Sequence, residues 1–209
     1  MAGFFKQKNQ DICVIPRNIE PIHTAITWGP LKFENKKDPY GYEFSTQTLV
    51  INVRSQMSSV GKNSDTLFER TFAEADNLHR CYPDIVLGEV YLIPTHEYDD
   101  AQVKLHNAAF KTNHVNIEKY ISFFNAINHR QPGGDNYAYE RCALLVVDFR
   151  RDIPKLYNNS AEMKLDGIIS QNFQVEYETL SFVHFTRDII DIYASRYDVN
   201  NLLKQDQYF

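Results

Sequence analysis

Two stretches constrain what this chain can fold into more than any other feature. Residues 85–93 read Ile-Val-Leu-Gly-Glu-Val-Tyr-Leu-Ile, and residues 142–149 read Cys-Ala-Leu-Leu-Val-Val-Asp-Phe. Successive strand side chains point to opposite faces, so runs this continuous are apolar on both sides. A strand of that kind must be covered twice, which is the situation of a central strand in a parallel or mixed sheet sandwiched by helices. The expected fold class is therefore α/β, a central mixed β-sheet flanked by helices.

The remaining periodicities supply the other parts. In residues 48–54, Leu49, Ile51 and Val53 alternate with Thr48, Asn52 and Arg54, the mark of a half-buried strand. Helical spacing recurs over residues 65–80 (Leu67, Phe68, Phe72, Ala75, Leu78), after Asn116 (Ile117, Tyr120, Ile121, Phe124, Ile127) and over 181–197 (Phe182, Phe185, Ile189, Ile190, Ile192, Tyr193). Ser64 or Thr66 is the expected N-cap of the first helix, with Thr66 and Glu69 spaced as a capping box, and Asn116 that of the second. A Gln-Pro-Gly-Gly-Asp turn at 131–135 ends the second helix. Residues 1–45, punctuated by Pro16, Pro21, Pro30 and Pro39, read as irregular chain wrapping the body, residues 94–115 as an excursion and 198–209 as a tail. No linker or repeat interrupts residues 1–209, so a single domain with its core at 48–197 is expected.

Composition narrows the function classes. A chain of 209 residues that is 43% hydrophobic and 13% aromatic can build a substantial core, and its 13 Tyr and 14 Phe serve either as core filling or as interface surface. Cys13, Cys81 and Cys142 are odd in number and outside any CxxC pattern, which points to a reducing compartment. With no signal-like or membrane-length apolar run either, cytoplasmic localisation and no membrane partner are expected. His79, His96, His106, His114 and His129 lack metal-ligand spacing, and His79 projects onto the apolar stripe of its helix. Phosphate-binding glycine loops and nucleophile elbows are missing from the sequence. A net charge of −5 lacks the general polycation signature of nucleic-acid binders, yet it accommodates a local basic groove beside a carboxylate cluster.

Carboxylates carry the chemical signal. Glu89 sits mid-strand and Asp148 at a strand's carboxyl end, where a buried acid costs several kcal/mol unless paired, hydrogen-bonded or bound to metal. Glu74 lies about 80° from the centre of its helix's apolar stripe, and Glu69 about 140° away, where a capping role suffices. Convergence of Glu74, Glu89 and Asp148 at one end of the sheet would present hard oxygen ligands to Mg²⁺. The competing reading is structural: Glu89 paired with Arg54 or Arg141, and Asp148 paired with Arg150 or capping a turn.

The order of a helix acid (Glu74), a strand acid (Glu89) and a second strand ending in Asp148-Phe149-Arg150 resembles the PD-(D/E)XK nuclease pattern. The stretch Arg54-Ser55-Gln56-Met57-Ser58-Ser59, leading through Lys62-Asn63 into Phe68-Glu69-Arg70, is similar to type II restriction endonucleases. Together they cover residues 48–150. The resemblance implies a restriction-endonuclease-like fold and Mg²⁺-dependent, sequence-specific cleavage of double-stranded DNA. Glu89 and Asp148 would then hold the metal, Glu74 would assist from its helix, and Arg150 would stabilise the pentacovalent phosphate. Arg54, Ser55, Gln56, Ser58, Ser59, Lys62, Asn63 and Arg70 are the matching candidates for DNA contact, because hydroxyls, amides and sparse cations near a helix start suit phosphates and base edges. A homodimer reading a palindromic site and a cognate DNA methyltransferase are the implied partners.

The sequence departs from the family's letters in several places. Pro83-Asp84 is followed too closely by Glu89-Val90-Tyr91, with tyrosine in the lysine position; Asp148-x-Arg150 carries an arginine; and Glu162-Met163-Lys164 lies in a polar, turn-like stretch. These site assignments stay open. So does a non-catalytic binding protein that assembles a homo-oligomer through aromatic-rich surfaces.

Overall fold

The computed structural model describes residues 1–15 and 19–197, so the tail expected at 198–209 lies outside the described residues. In chain order the strands are β1 Ile12–Val14, β2 Thr24–Ala25, β3 Lys37–Asp38, β4 Leu49–Ser55, β5 Val86–Pro94, β6 His96–Tyr98, β7 Phe110–His114, β8 Arg141–Asp148 and β9 Lys155–Leu156. The helices are α1 Tyr42–Thr46, α2 Ser64–His79, α3 Asp100–Val103, α4 Ile117–Ala126, α5 Ser160–Leu165 and α6 Phe182–Tyr197.

Five strands form one mixed sheet in the order β1-β4-β5-β8-β9. β4, β5 and β8 run parallel, and β1 and β9 close the edges antiparallel. Parallel neighbours need crossover connections, and crossovers share one hand. Because the chain advances across the sheet in a single direction, α2 and α4 fall on the same face. There Leu67 and Leu78 of α2 and Tyr120, Ile121 and Phe124 of α4 pack on Val50, Leu87, Tyr91, Leu144 and Val146. The opposite face is covered by α6, whose Phe185, Ile189 and Tyr193 rest on Leu49, Val86, Val90 and Ala143. The doubly apolar runs at β5 and β8 thus meet the two covers they require.

Much of the aromatic content is core with a polar handle. Five tyrosines, Tyr82, Tyr120, Tyr139, Tyr157 and Tyr177, are among the largest fully buried side chains, and their hydroxyls all find acceptors. Tyr177 donates to the Leu144 carbonyl at 2.6 Å and Tyr120 to that of Val60 at 2.8 Å, which ties loops to the sheet without leaving a polar atom stranded. Among the described residues, no helix is long and apolar enough to cross a membrane.

Four local expectations are corrected or refined. α2 begins at Ser64 behind Asn63, and Ser64 Oγ donates back to the Gly61 carbonyl at 3.0 Å, so Thr66 and Glu69 form no capping box. The buried face of α2 is also rotated toward Thr71, Glu74 and Asn77, leaving Phe72 partly exposed, because residues 3–8 pack against that flank. Residues 1–45 are not merely a wrap, since they supply edge strand β1 and the β2–β3 pair. The excursion at 94–115 contains the β6–β7 pair and α3, the latter capped by Asp99.

Gly88 sets the distance between β5 and α6. A Cβ there would stand 2.5 Å from Ile189 Cδ1 and 2.8 Å from Phe185 Cζ, so the missing side chain lets α6 lie on the strand. Gly88→Val is expected to lower stability by about 1–3 kcal/mol through overpacking, read as a reduced midpoint in urea unfolding.

Candidate functional site

β4 ends beside α2 and alongside Tyr91 of β5, and between them opens a cavity of about 900 Å³. Lys6, Lys8, Arg54 and Arg70 line it, against the single lining carboxylate Glu74. A chain with net charge −5 therefore carries a local concentration of cations, the electrostatic setting for an anionic ligand. The cavity opens at the carboxyl end of β4, where the chain leaves the sheet for α2.

Each side chain is placed by an identifiable constraint. Asn52 and Arg54 alternate onto the α2 face of β4, and in register across from them on β5 stand Glu89 and Tyr91. Glu74 comes down from α2. The Arg54 guanidinium reaches both acids, donating from Nη2 to Glu74 Oε2 and lying with Nε 3.3 Å from Glu89 Oε1. Lys8 Nζ donates to the other Glu74 oxygen. Lys6 and Lys8 are brought here by Asn77, whose Oδ1 accepts from the backbone N–H of Phe5 at 2.7 Å and of Lys6 at 3.1 Å, pinning the amino-terminal segment to α2.

The electrostatics follow from burial. Glu89 is fully buried beneath Arg54, and desolvation lifts its carboxyl pKa to about 7 against the opposing pull of Arg54, Lys8 and the Asn52 amide. Desolvation likewise brings Lys8 down to about 8, helped by repulsion from Arg54 and opposed by Glu89. Both groups are thereby moved toward neutrality, the range in which an acid or base can exchange protons.

Of the residues expected to contact DNA, Arg54, Ser55, Gln56, Asn63 and Arg70 line this cavity, while Ser58, Ser59 and Lys62 lie on the connecting loop. Gln56 is occupied at both ends: Oε1 accepts from Tyr91 Oη at 3.0 Å, and Nε2 donates to the carbonyls of Ser58 and Ser59 at 3.3 and 3.1 Å. Its visible work is to hold that loop.

Asp148 does not join Glu89. It shares Glu89's face of the sheet, but it lies six residues along β8 from Cys142, the register partner of Glu89, a separation of about 20 Å at roughly 3.3 Å per residue. There it accepts from Arg150 Nε at 3.0 Å and Nη2 at 3.2 Å and from Arg151 Nε at 3.4 Å. Although its burial works the other way, these arginines and the Arg150 backbone N–H hold the Asp148 carboxyl well below the usual carboxylate range. The expected union of Glu89 with Asp148 and Arg150 is thus corrected: sequence order cannot reveal that one acid lies at the start of a strand pair and the other beyond its end. Asp84 is exposed, and its carbonyl accepts from Arg196 and Tyr197; Glu162 and Lys164 lie on α5, where Glu162 accepts from Asn159. His79 is a core residue, as its place on the stripe implied, with Nδ1 2.9 Å from the Asn136 carbonyl.

Among the described residues, no three His, Cys, Asp or Glu side chains gather as a metal-holding group. The acids that do meet are Glu74 and Glu89. Sequence reasoning missed Lys8, which sits in a segment without periodicity, and Asn52, which read only as the polar face of a strand. No protein-family model, curated protein or solved structure matches the chain.

Arg54→Ala removes the cation between two buried acids and is expected to destabilise the protein by about 3–5 kcal/mol in urea unfolding. Adding Glu89→Gln to that variant should recover a substantial part, because the stranded charge is gone. Asp148 obeys the rule for a depressed acid: its contribution is present above its unfolded pKa of about 4 and is lost as pH falls through the lower folded value. Asp148→Asn should therefore lower the melting temperature at pH 7, with the gap to wild type closing only below about pH 4 in a pH series of thermal melts.

Proposed function

We propose that this chain is a Mg²⁺-dependent endonuclease of the restriction type, with a restriction-endonuclease-like fold, that hydrolyses phosphodiester bonds of double-stranded DNA at Glu74 and Glu89. The observation that carries the reading is the meeting of a helix-borne and a strand-borne carboxylate on one guanidinium at the floor of a cation-lined cavity. Asp148 and Arg150 have no part in it.

Mg²⁺ is commonly held by one or two carboxylates with water completing its shell, and Glu74 and Glu89 are the two acids that meet here. Arg54 and Lys8 are paired with them, so these acids could hold the ion only by exchanging that pairing for it; it would then supply Lewis-acid polarisation of the phosphoryl group and a water of lowered pKa. The chain's own groups do the rest. Lys6 and Arg70 draw the phosphate backbone to the cavity mouth, and Arg54, close to both acids, is placed to bind the phosphoryl oxygens on which charge develops. Lys8 Nζ, with its pKa lowered to about 8, is mostly protonated at neutral pH and is placed to donate a proton. A palindromic target would be read by two copies related by two-fold symmetry.

The second reading, a non-catalytic protein that self-associates through aromatic surface, is favoured by an apolar groove where Phe72 and Tyr137 are about two-fifths exposed beside Ala126 and Ile127.

Plasmid and phage DNA incubated with the protein and Mg²⁺, against an EDTA control, separates the two. Discrete fragments are expected, with Glu74→Gln and Glu89→Gln each slowing cleavage by about a hundredfold or more and Asp148→Asn leaving it near wild type while the protein remains folded. Absence of cleavage across varied DNA substrates would reject the nuclease in favour of the self-associating binder. Undiminished cleavage by the folded glutamine variants would reject this site.

A further inference from the structure

The charges around the cavity at the end of β4 do not balance. Lys6, Lys8, Arg54 and Arg70 face a single lining carboxylate, Glu74, and the buried Glu89 beneath Arg54 adds at most one negative charge more. Positive charge is therefore in excess here, in a chain whose net charge is −5. Two of the cations are engaged, Arg54 with Glu74 and Glu89, and Lys8 with Glu74. Among the described residues, Lys6 and Arg70 have no acid partner, although one comes from the amino-terminal segment and the other from α2. Like charges brought together from separate elements repel unless an anion lies between them.

Uncharged donors complete the set. Asn63, at the N-cap position of α2, makes no capping bond with its side chain, so its amide is available, and Thr66 adds a hydroxyl in the first turn. The amino end of this 16-residue helix carries partial positive charge of its own. Tyr91, the one aromatic residue in the lining, is buried and gives its hydroxyl to Gln56, which leaves a nucleobase no exposed ring to stack on. At about 900 Å³ the cavity is of small-molecule size, and a duplex can lie across its mouth but cannot enter it.

We propose that this cavity binds a compact polyphosphorylated small molecule, without a metal ion, through Lys6, Arg54 and Arg70. Adjacent phosphates joined by anhydride bonds place several negative charges within the width of one cavity, which suits cations that converge from three elements. A guanidinium grips phosphate oxygens in pairs, and a lysine serves as a point charge beside it. The inference goes beyond the proposed nuclease, because its ligands are the cations and not the two acids, and it needs no hydrolysis.

Calorimetric titration with sodium tripolyphosphate in buffer containing EDTA tests this without any cleavage measurement. Wild type is expected to bind one tripolyphosphate per chain, with orthophosphate weaker by about tenfold or more. Lys6→Ala and Arg70→Ala should each weaken tripolyphosphate by about fivefold. Both side chains are exposed, and the Lys6 backbone bond to Asn77 survives truncation, so both variants are expected to fold, which circular dichroism checks. Lys104→Ala, an exposed lysine at the end of α3 outside the cavity, should bind as wild type does. No binding by wild type, orthophosphate bound as tightly as tripolyphosphate, or wild-type affinity in folded Lys6→Ala and Arg70→Ala proteins would each overturn the inference. None of these results bears on the cleavage test, and failure to cleave DNA would leave tripolyphosphate binding as it stands.

Discussion

Everything at the candidate site depends on how the protein tolerates a carboxylate in the middle of its most buried strand. Glu89 has apolar neighbours along β5 and a helix above it, an environment in which an isolated charge is prohibitive. The counterweight is Arg54, one strand over and close enough to serve Glu89 and Glu74 together. Because a parallel pair in register keeps facing side chains at a fixed spacing, β4 and β5 hold this arrangement without help from any loop. The acids are near one another because the sheet and α2 leave them nowhere else to go.

The cations above them come from a part of the chain with no regular pattern. Gly3 packs so closely on Asn77 that a Cβ would stand 2.5 Å from its Cγ, and Trp28 Nε1 donates to the Gly3 carbonyl at 3.2 Å. With Asn77 also accepting from Phe5 and Lys6, the segment is laid along α2, and Lys6 and Lys8 arrive at the cavity as a consequence. The same contact explains why α2 buries Thr71, Glu74 and Asn77, polar residues that a helix packed only on a sheet would turn outward.

Further along the sheet, the carboxyl end of β8 answers the same problem differently. Asp148 emerges from β8 where two arginines and a backbone N–H surround it, so its charge is fully compensated by near neighbours in sequence. Glu89 has a guanidinium that it shares with Glu74, and the Asn52 amide across from it on β4. One acid is paired by near neighbours in sequence, the other through a cation that it shares with an acid on another element.

Much of this was legible in the sequence. Continuous apolar runs at 85–93 and 142–149 require cover on both faces, so two helix layers around a central sheet followed from residue order alone, as did the amphipathic helices at α2, α4 and α6 and the Asn116 cap. That Glu89 is an acid within a buried strand, and Glu74 an acid at the edge of a helix's apolar stripe, was also visible, because helical and strand periods are local properties. Which acids meet was not. Asp148 and Glu89 have the same parity on parallel strands, and only the register between those strands, set by packing over the whole sheet, decides that they stand about 20 Å apart. Lys8 and Asn52 were hidden for the same physical reason: a contact made across 66 residues of chain, or between facing strands, leaves no periodic trace in the sequence that encodes it.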